Sequence, residues 1–171
     1  AAPNRDGRGL SGAFLVIEKL GMERTIEITG HWPPFVSTLA RLLSYRNDPS
    51  RPPVAYVLTL NDWLAYRLSG ALTSESSNAC ESSLLDVQTR AWSKDLLEAL
   101  QIDERVLPPL VEPGTRVGRL TPEAADQIGF VAGTPVFAGG ADTQCALLGS
   151  GVTRAGQAGM VPATAAPVRI A

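Results

Sequence analysis

Residues 134–151, TPVFAGGADTQCALLGSG, constrain the fold more than any other part of the chain. An apolar run at 135–138 sits between Gly133 and the Gly139-Gly140 pair, and it predicts a short buried strand. Asp142 follows the glycines and opens a helical pattern over 143–148, which Gly149 and Gly151 stop. Strand, glycine turn and helix start together put a carboxylate at the C-terminal end of a strand. In open α/β sheets that edge is where ligands bind. Two roles fit Asp142 equally. It can cap the helix, accepting a first-turn N–H where the helix dipole favours negative charge, or it can act on a ligand. The local pattern leaves both open.

The rest of the chain alternates helix and strand signals, which predicts an α/β architecture in one compact unit. Leu10, Ala13, Phe14, Ile17 and Leu20 form one helical face that Gly21 ends. Phe35, Leu39, Leu42 and Leu43 form a second, which ends before Asn47-Asp48-Pro49. The run VAYVLTL at 54–60 has the strongest strand composition. Asn61 is placed to cap a helix over 62–68, closed by Gly70. The polar stretch 73–83, TSESSNACESS, reads as a loop, and its hydroxyls also suit a polar ligand. A brief strand at 84–87 precedes a helix capped by Ser93, and prolines and glycines at 108–118 predict turns. Thr121-Pro122-Glu123 is a compact helix start, and Gly129 ends that helix. Two strands, at 156–161 and 166–170, flank a turn at 162–165. A Thr hydroxyl there, Thr164, with exposed turn amides can contact a phosphate, although an ordinary hairpin turn fits as well.

Charge excludes some classes of partner. The formal net charge is −2 with both signs scattered, so no basic footprint predicts nucleic acid and no polybasic run predicts a membrane surface. The longest apolar run, AFLVI at 13–17, is too short to span a bilayer. Cys80 and Cys145 lack metal-ligand spacing and predict buried free thiols in a reducing cytoplasm. His31 is the only histidine; beside Trp32 in a loop, it is read as a packing or surface residue. The final VRI looks like a strand just begun, and an unpaired edge predicts more chain or a partner. The sequence therefore reads as a piece of a longer protein.

In this order the segments resemble the FGGY family of carbohydrate kinases. Gly139-Gly140-Ala141-Asp142-Thr143-Gln144-Cys145-Ala146-Leu147-Leu148-Gly149 follows the family pattern Gly-Gly-x-Asp-x-Gln/Asn-x-Ala-x-x-Gly. Gly151-Val152 and Gly156-Gln157-Ala158 resemble its Gly-Val-x-x-Pro-Gly-Gln-Ala, with Ala155 in place of Pro. Asp62-Trp63-Leu64-Ala65-Tyr66-Arg67-Leu68-Ser69-Gly70 is similar to Asp-Trp-Leu-x-Tyr-Arg-Leu-Thr-Gly, and Ser77-Asn78-Ala79, Leu84-Leu85-Asp86 and Trp92 also fit.

The resemblance implies part of a ribonuclease H-like, actin-like ATPase fold. Residues 1–152 would be the later part of a substrate-binding domain, and 153–171 the first strands of an ATP-binding domain. It implies transfer of the γ-phosphoryl of ATP, with Mg²⁺, to a hydroxyl of a sugar or polyol in the cytoplasm. Asp142 would be the general base, with Asp6, Arg8 and Gln144 on the substrate and Thr164 on the nucleotide phosphates. A homodimer of the full-length protein stays open. The family's first phosphate loop has no counterpart here, so the isolated piece is expected to be inactive. Asp6-Gly7-Arg8 resembles the end of the family's substrate motif Trp-x-Asp-x-Arg with Asn4 in place of Trp, and Ala163-Thr164-Ala165 replaces Gly-Thr-Ser. Those departures motivate the alternative of a degenerate member that binds a sugar or a partner without catalysis.

Overall fold

Two helices meet at a glycine. In the computed structural model of the chain, which describes residues 7–161 and 168–170, α1 (Leu10–Leu20) follows a 3-10 turn at Gly7–Gly9 and lies against α3 (Thr38–Arg46). A Cβ on Gly12 would stand 1.9 Å from the Ala40 carbonyl oxygen, so only glycine permits this approach. The close packing moves the buried face of α1 away from the predicted one. Gly12, Ala13 and Val16 are buried, whereas Leu10 and Phe14 are 52% and 64% exposed. Large side chains do not fit where two backbones nearly touch.

α2 (Met22–Thr29) follows directly after Gly21, in a region for which the sequence pattern predicted no helix. Its burial rests on Thr25, Ile28 and Thr29, and two of those are hydroxyl residues that an apolar count passes over. Thr25 and Thr29 hide their hydroxyls by donating to the carbonyls of Gly21, and of Thr25 and His31, respectively. α3 starts at Ser37, whose side chain accepts the Ala40 N–H. Its Leu39, Leu42 and Leu43 join Val16, Ile28, Leu84, Leu96 and Leu97 in the main core.

The strand predicted at 54–60 is absent. Residues 54–59 have no regular secondary structure and join no ladder among the described residues, with Val57 donating its N–H to the Val106 carbonyl. β-propensity describes a residue's fit to a sheet, and no strand lies alongside to supply one. Leu60 instead begins α4 (Leu60–Ser69), for which Thr59, not Asn61, is the N-cap; Gly70 closes it at φ 76°.

The polar run predicted as a loop contains β1 (Ser74–Glu75) and α5 (Ser76–Glu81). β1 pairs in parallel with β4 (Leu110–Val111), inside the stretch predicted as turns. Between them, β2 (Leu85–Asp86) pairs antiparallel with β3 (Ala91–Trp92), and Ser93 caps α6 (Lys94–Ala99) as expected. β5 (Arg116–Arg119) also falls among the predicted turns. α7 (Pro122–Ile128) has its Thr121 cap and ends at Gly129, φ 72°, as predicted.

β6 (Pro135–Phe137) pairs antiparallel with β5, Gly118 opposite Val136. The strand before Asp142 thus lies in an antiparallel pair, and every sheet among the described residues has two strands. Nor is β6 buried, since Phe137 is 56% exposed. A smaller core of Leu120, Ala124 and Ala125, with Leu68 and Val136 against it, ties α4 and α7 to β6. α8 (Asp142–Gly149) follows, and then β7 (Ala158–Met160) pairs antiparallel with β8 (Val168–Ile170). Residues 162–167, which include Thr164 and the predicted turn, lie outside the described residues, as does Asp6.

Candidate active site

Asp142 is the first residue of α8, one position later than a cap. The N-cap is Ala141, which has no polar side chain to offer. The Asp142 carboxylate is exposed, and its Oδ1 accepts the Thr143 N–H at 2.6 Å. Gln144, in the same first turn, is also exposed. Arg8 is exposed in the turn Gly7–Gly9, which packs against α3. Among the predicted site residues, the described structure thus puts Asp142 and Gln144 together on one helical turn.

The turn that delivers Asp142 is held from below by α5. Ser77 Oγ accepts the Ala141 N–H at 2.8 Å and donates to Glu75 Oε2 at 2.7 Å. Glu75 is 1% exposed, yet its carboxylate is well supplied with donors. Oε1 accepts the Ser77 N–H at 2.7 Å; Oε2 also accepts the Asn78 N–H at 3.0 Å and the Asn78 side-chain amide at 2.7 Å. Burial raises the carboxyl's pKa, but the hydrogen bonds from Ser77 and Asn78 together outweigh it and hold the group below the ordinary Glu value. Glu75 is thereby also the N-cap of α5.

One step further in, Asp62 is 4% exposed and anchors the start of α4 to β1. Its Oδ1 accepts the Glu75 N–H at 3.0 Å, and Oδ2 accepts the hydroxyls of Thr59 at 2.7 Å and Ser74 at 2.9 Å. Asp62, Glu75, Ser77 and Ala141 therefore form one hydrogen-bonded line from α4 to the turn before Asp142.

Gly140 must approach this line closely. A Cβ there would lie 3.0 Å from Cys145 Sγ and 3.6 Å from Ser77 Oγ, whereas one on Gly139 would meet nothing within 4 Å. The thiol expected to be buried is exposed at Cys145 and partly exposed at Cys80. A cavity of about 210 Å³ opens between α4 and β6, lined by Asn61, Leu64, Leu68, Thr73, Phe137 and Gly139 among others.

The N-terminal-domain model of the FGGY family of carbohydrate kinases matches residues 18–149. The chain belongs to that family. The match includes Asp62, Glu75, Ser77, Asp142 and Gln144, while Asp6, Arg8 and Thr164 fall outside it. Autoinducer-2 kinase of Yersinia enterocolitica is 43% identical over 133 residues, which is 75% of this chain and 25% of that protein. The chain spans about a quarter of the length of the curated relatives it matches. Among solved structures, xylulose kinase from Rhodospirillum rubrum superposes with a TM-score of 0.82 at 26% identity, over 92% of this chain and 33% of that one. Plasmodium falciparum glycerol kinase with ADP gives a TM-score of 0.84 at 18% identity, over 96% and 34%, a likeness of fold.

The buried line escaped the sequence reading. Its signal was an acid at the head of the polar run Glu75-Ser76-Ser77-Asn78, where a carboxylate can take the amides of a new helix. That α5 lacks an apolar stripe concealed it.

Proposed function

We propose that this chain works as part of an ATP-dependent carbohydrate kinase that phosphorylates a hydroxyl of a sugar or polyol. The supporting observation is an exposed Asp142 at the start of α8, delivered by a braced glycine turn in a chain of the FGGY family. Asp142 acts as the base. Its carboxylate orients the acceptor O–H and takes its proton. The oxygen then bonds to the γ-phosphorus of ATP as the bond to the β-γ bridging oxygen breaks and ADP departs. Phosphoryl transfer has a loose transition state, so holding the hydroxyl in line matters more than basicity.

Gln144, beside Asp142, is the neighbouring contact for the acceptor, and Arg8 and Asp6 bind its other hydroxyls. Among the described residues no cluster of three or more His, Cys, Asp or Glu side chains could hold a metal ion. Mg²⁺ in phosphoryl transfer is held mainly by the nucleotide phosphates with one or two carboxylates, and in this reading it would arrive with ATP. Thr164 contacts the nucleotide phosphates in this reading, with residues 1–152 serving the acceptor and 153–171 beginning the ATP domain.

The relatives at 43% identity are named for autoinducer-2, and solved relatives for xylulose, gluconate and glycerol. ADP release by the full gene product over a panel of those four compounds tests the reading. Acceptor-dependent ADP supports it. Acceptor binding with no ADP from any member would instead establish the non-catalytic alternative that the Ala163-Thr164-Ala165 departure motivates.

A further inference from the structure

We propose that Ser77 is a positioning residue for phosphoryl transfer, fixing the peptide that aims Asp142, and that Glu75 is the buried anchor that holds Ser77 in that role. The inference rests on the reading of Asp142 as the base and extends it to two residues that would act through Asp142.

A helix start normally secures itself with its own side chains. In a capping box, the N-cap side chain takes an N–H of the first turn and a Glu or Gln at N3 reaches back to the N-cap N–H. In α8 the N-cap, Ala141, has no acceptor side chain. Gln144 stands at N3, but the Ala141 N–H is given instead to Ser77, from an element 64 residues earlier. The hydroxyl can accept there because its own proton is committed to Glu75 Oε2, 2.7 Å away. A carboxylate offers no proton to compete, so the polarity of the relay runs one way.

The relay is also rigid. Ala141 is 6% exposed and Glu75 1% exposed, and a Cβ on Gly140 would come within 3.0 Å of Cys145 Sγ. Ser77 is held at both ends of its residue, since its own backbone N–H also donates to Glu75. Rotation of the Gly140–Ala141 peptide plane about its flanking bonds is what would swing the carboxylate of the next residue. Ser77 opposes that rotation without adding any contact to the acceptor. Misplacement of a reacting group by about 1 Å costs roughly 100-fold in rate, so a loosened Asp142 should turn over slowly while the acceptor still binds.

The experiment compares Ser77→Ala, Ser77→Cys and Ser77→Thr with wild type in the full gene product, measuring kcat, KM for the acceptor and amide exchange at Ala141. The Ala and Cys variants should lose roughly 10- to 100-fold in kcat, with KM changed less than about threefold. The Ala141 amide should exchange faster in both. Thr, which keeps the hydroxyl, should restore most of kcat. Introduced together with Asp142→Asn, Ser77→Cys should cause little further loss, because both changes act through one group. The near-isosteric Cys variant keeps the comparison informative should Ala fail to fold. Wild-type kcat in Ser77→Cys, or a slow Ser77→Cys with unchanged Ala141 exchange, would overturn the positioning role. A fully active Asp142→Asn would overturn the base assignment instead, whatever Ser77 does.

Discussion

Ser77 Oγ lies 2.8 Å from the Ala141 nitrogen although 64 residues separate them in sequence. That bond joins a short polar helix to the glycine turn that carries Asp142. Because Ser77 is in turn bound to Glu75, and Glu75 to Asp62, the turn that carries an exposed carboxylate is tied by hydrogen bonds to two buried ones. Each member of this line has a measurable consequence.

Glu75→Gln should lower stability at neutral pH by about 2 kcal/mol or more. The amide keeps one acceptor oxygen and turns an NH₂ toward donors that had been satisfied. The effect should depend on pH. The folded-state pKa of Glu75 lies below its unfolded value, which is about 4.3 for a free Glu. The carboxylate's contribution is thus complete above the unfolded value and disappears as pH falls through the folded one. Urea unfolding of both proteins should give a gap that is constant above about pH 5 and narrows below about pH 4. A gap that widened toward acid would contradict the depressed pKa.

Asp62→Ala removes the acceptor of the Ser74 hydroxyl and the Glu75 N–H, and one of the two acceptors near the Thr59 hydroxyl, which also faces Asn61 Oδ1. With the residue 4% exposed, water cannot easily replace it. The expected loss is about 2–4 kcal/mol, read as a lower urea midpoint at unchanged slope. A loss under about 0.5 kcal/mol would place the anchor elsewhere.

How much of this was readable before the structure depended on whether local chemistry or distant contact decided each element. Glycine stops and hydroxyl caps act within one turn, so Gly21, Gly70, Gly129, Ser93 and Thr121 fell where the pattern put them. The order of motifs made the family legible, and Asp142 stood out within it. What failed was set by partners far away in sequence. Residues 54–60 have strand composition but no neighbouring strand, and α1 turns Leu10 and Phe14 outward because Gly12 meets Ala40. Periodicity could not reveal α5 because its start is fixed by Glu75 and only Ala79 on it is buried. The brace from Ser77 to Ala141 has no local signature at all.

Gly12→Ala should be among the most damaging single-methyl changes in the protein. The added carbon would sit 1.9 Å from the Ala40 carbonyl oxygen, a backbone atom that moves only if α3 moves. Overpacking of this kind costs about 1–3 kcal/mol. Gly7→Ala meets nothing within 4 Å and serves as the matched control. Thermal unfolding should show a clear drop for the first and a change within about 0.5 kcal/mol for the second. Equal midpoints would mean that α1 and α3 do not approach as described.

The central claim is that Asp142 takes the proton of an attacking alcohol. Initial rates of acceptor-dependent ADP formation by the full gene product and its Asp142→Asn variant test it most directly, with acceptor affinity measured alongside. The account predicts a kcat lower by roughly 100-fold or more in the variant, with acceptor binding within a few-fold of wild type. Turnover at the wild-type rate without the carboxylate would contradict it.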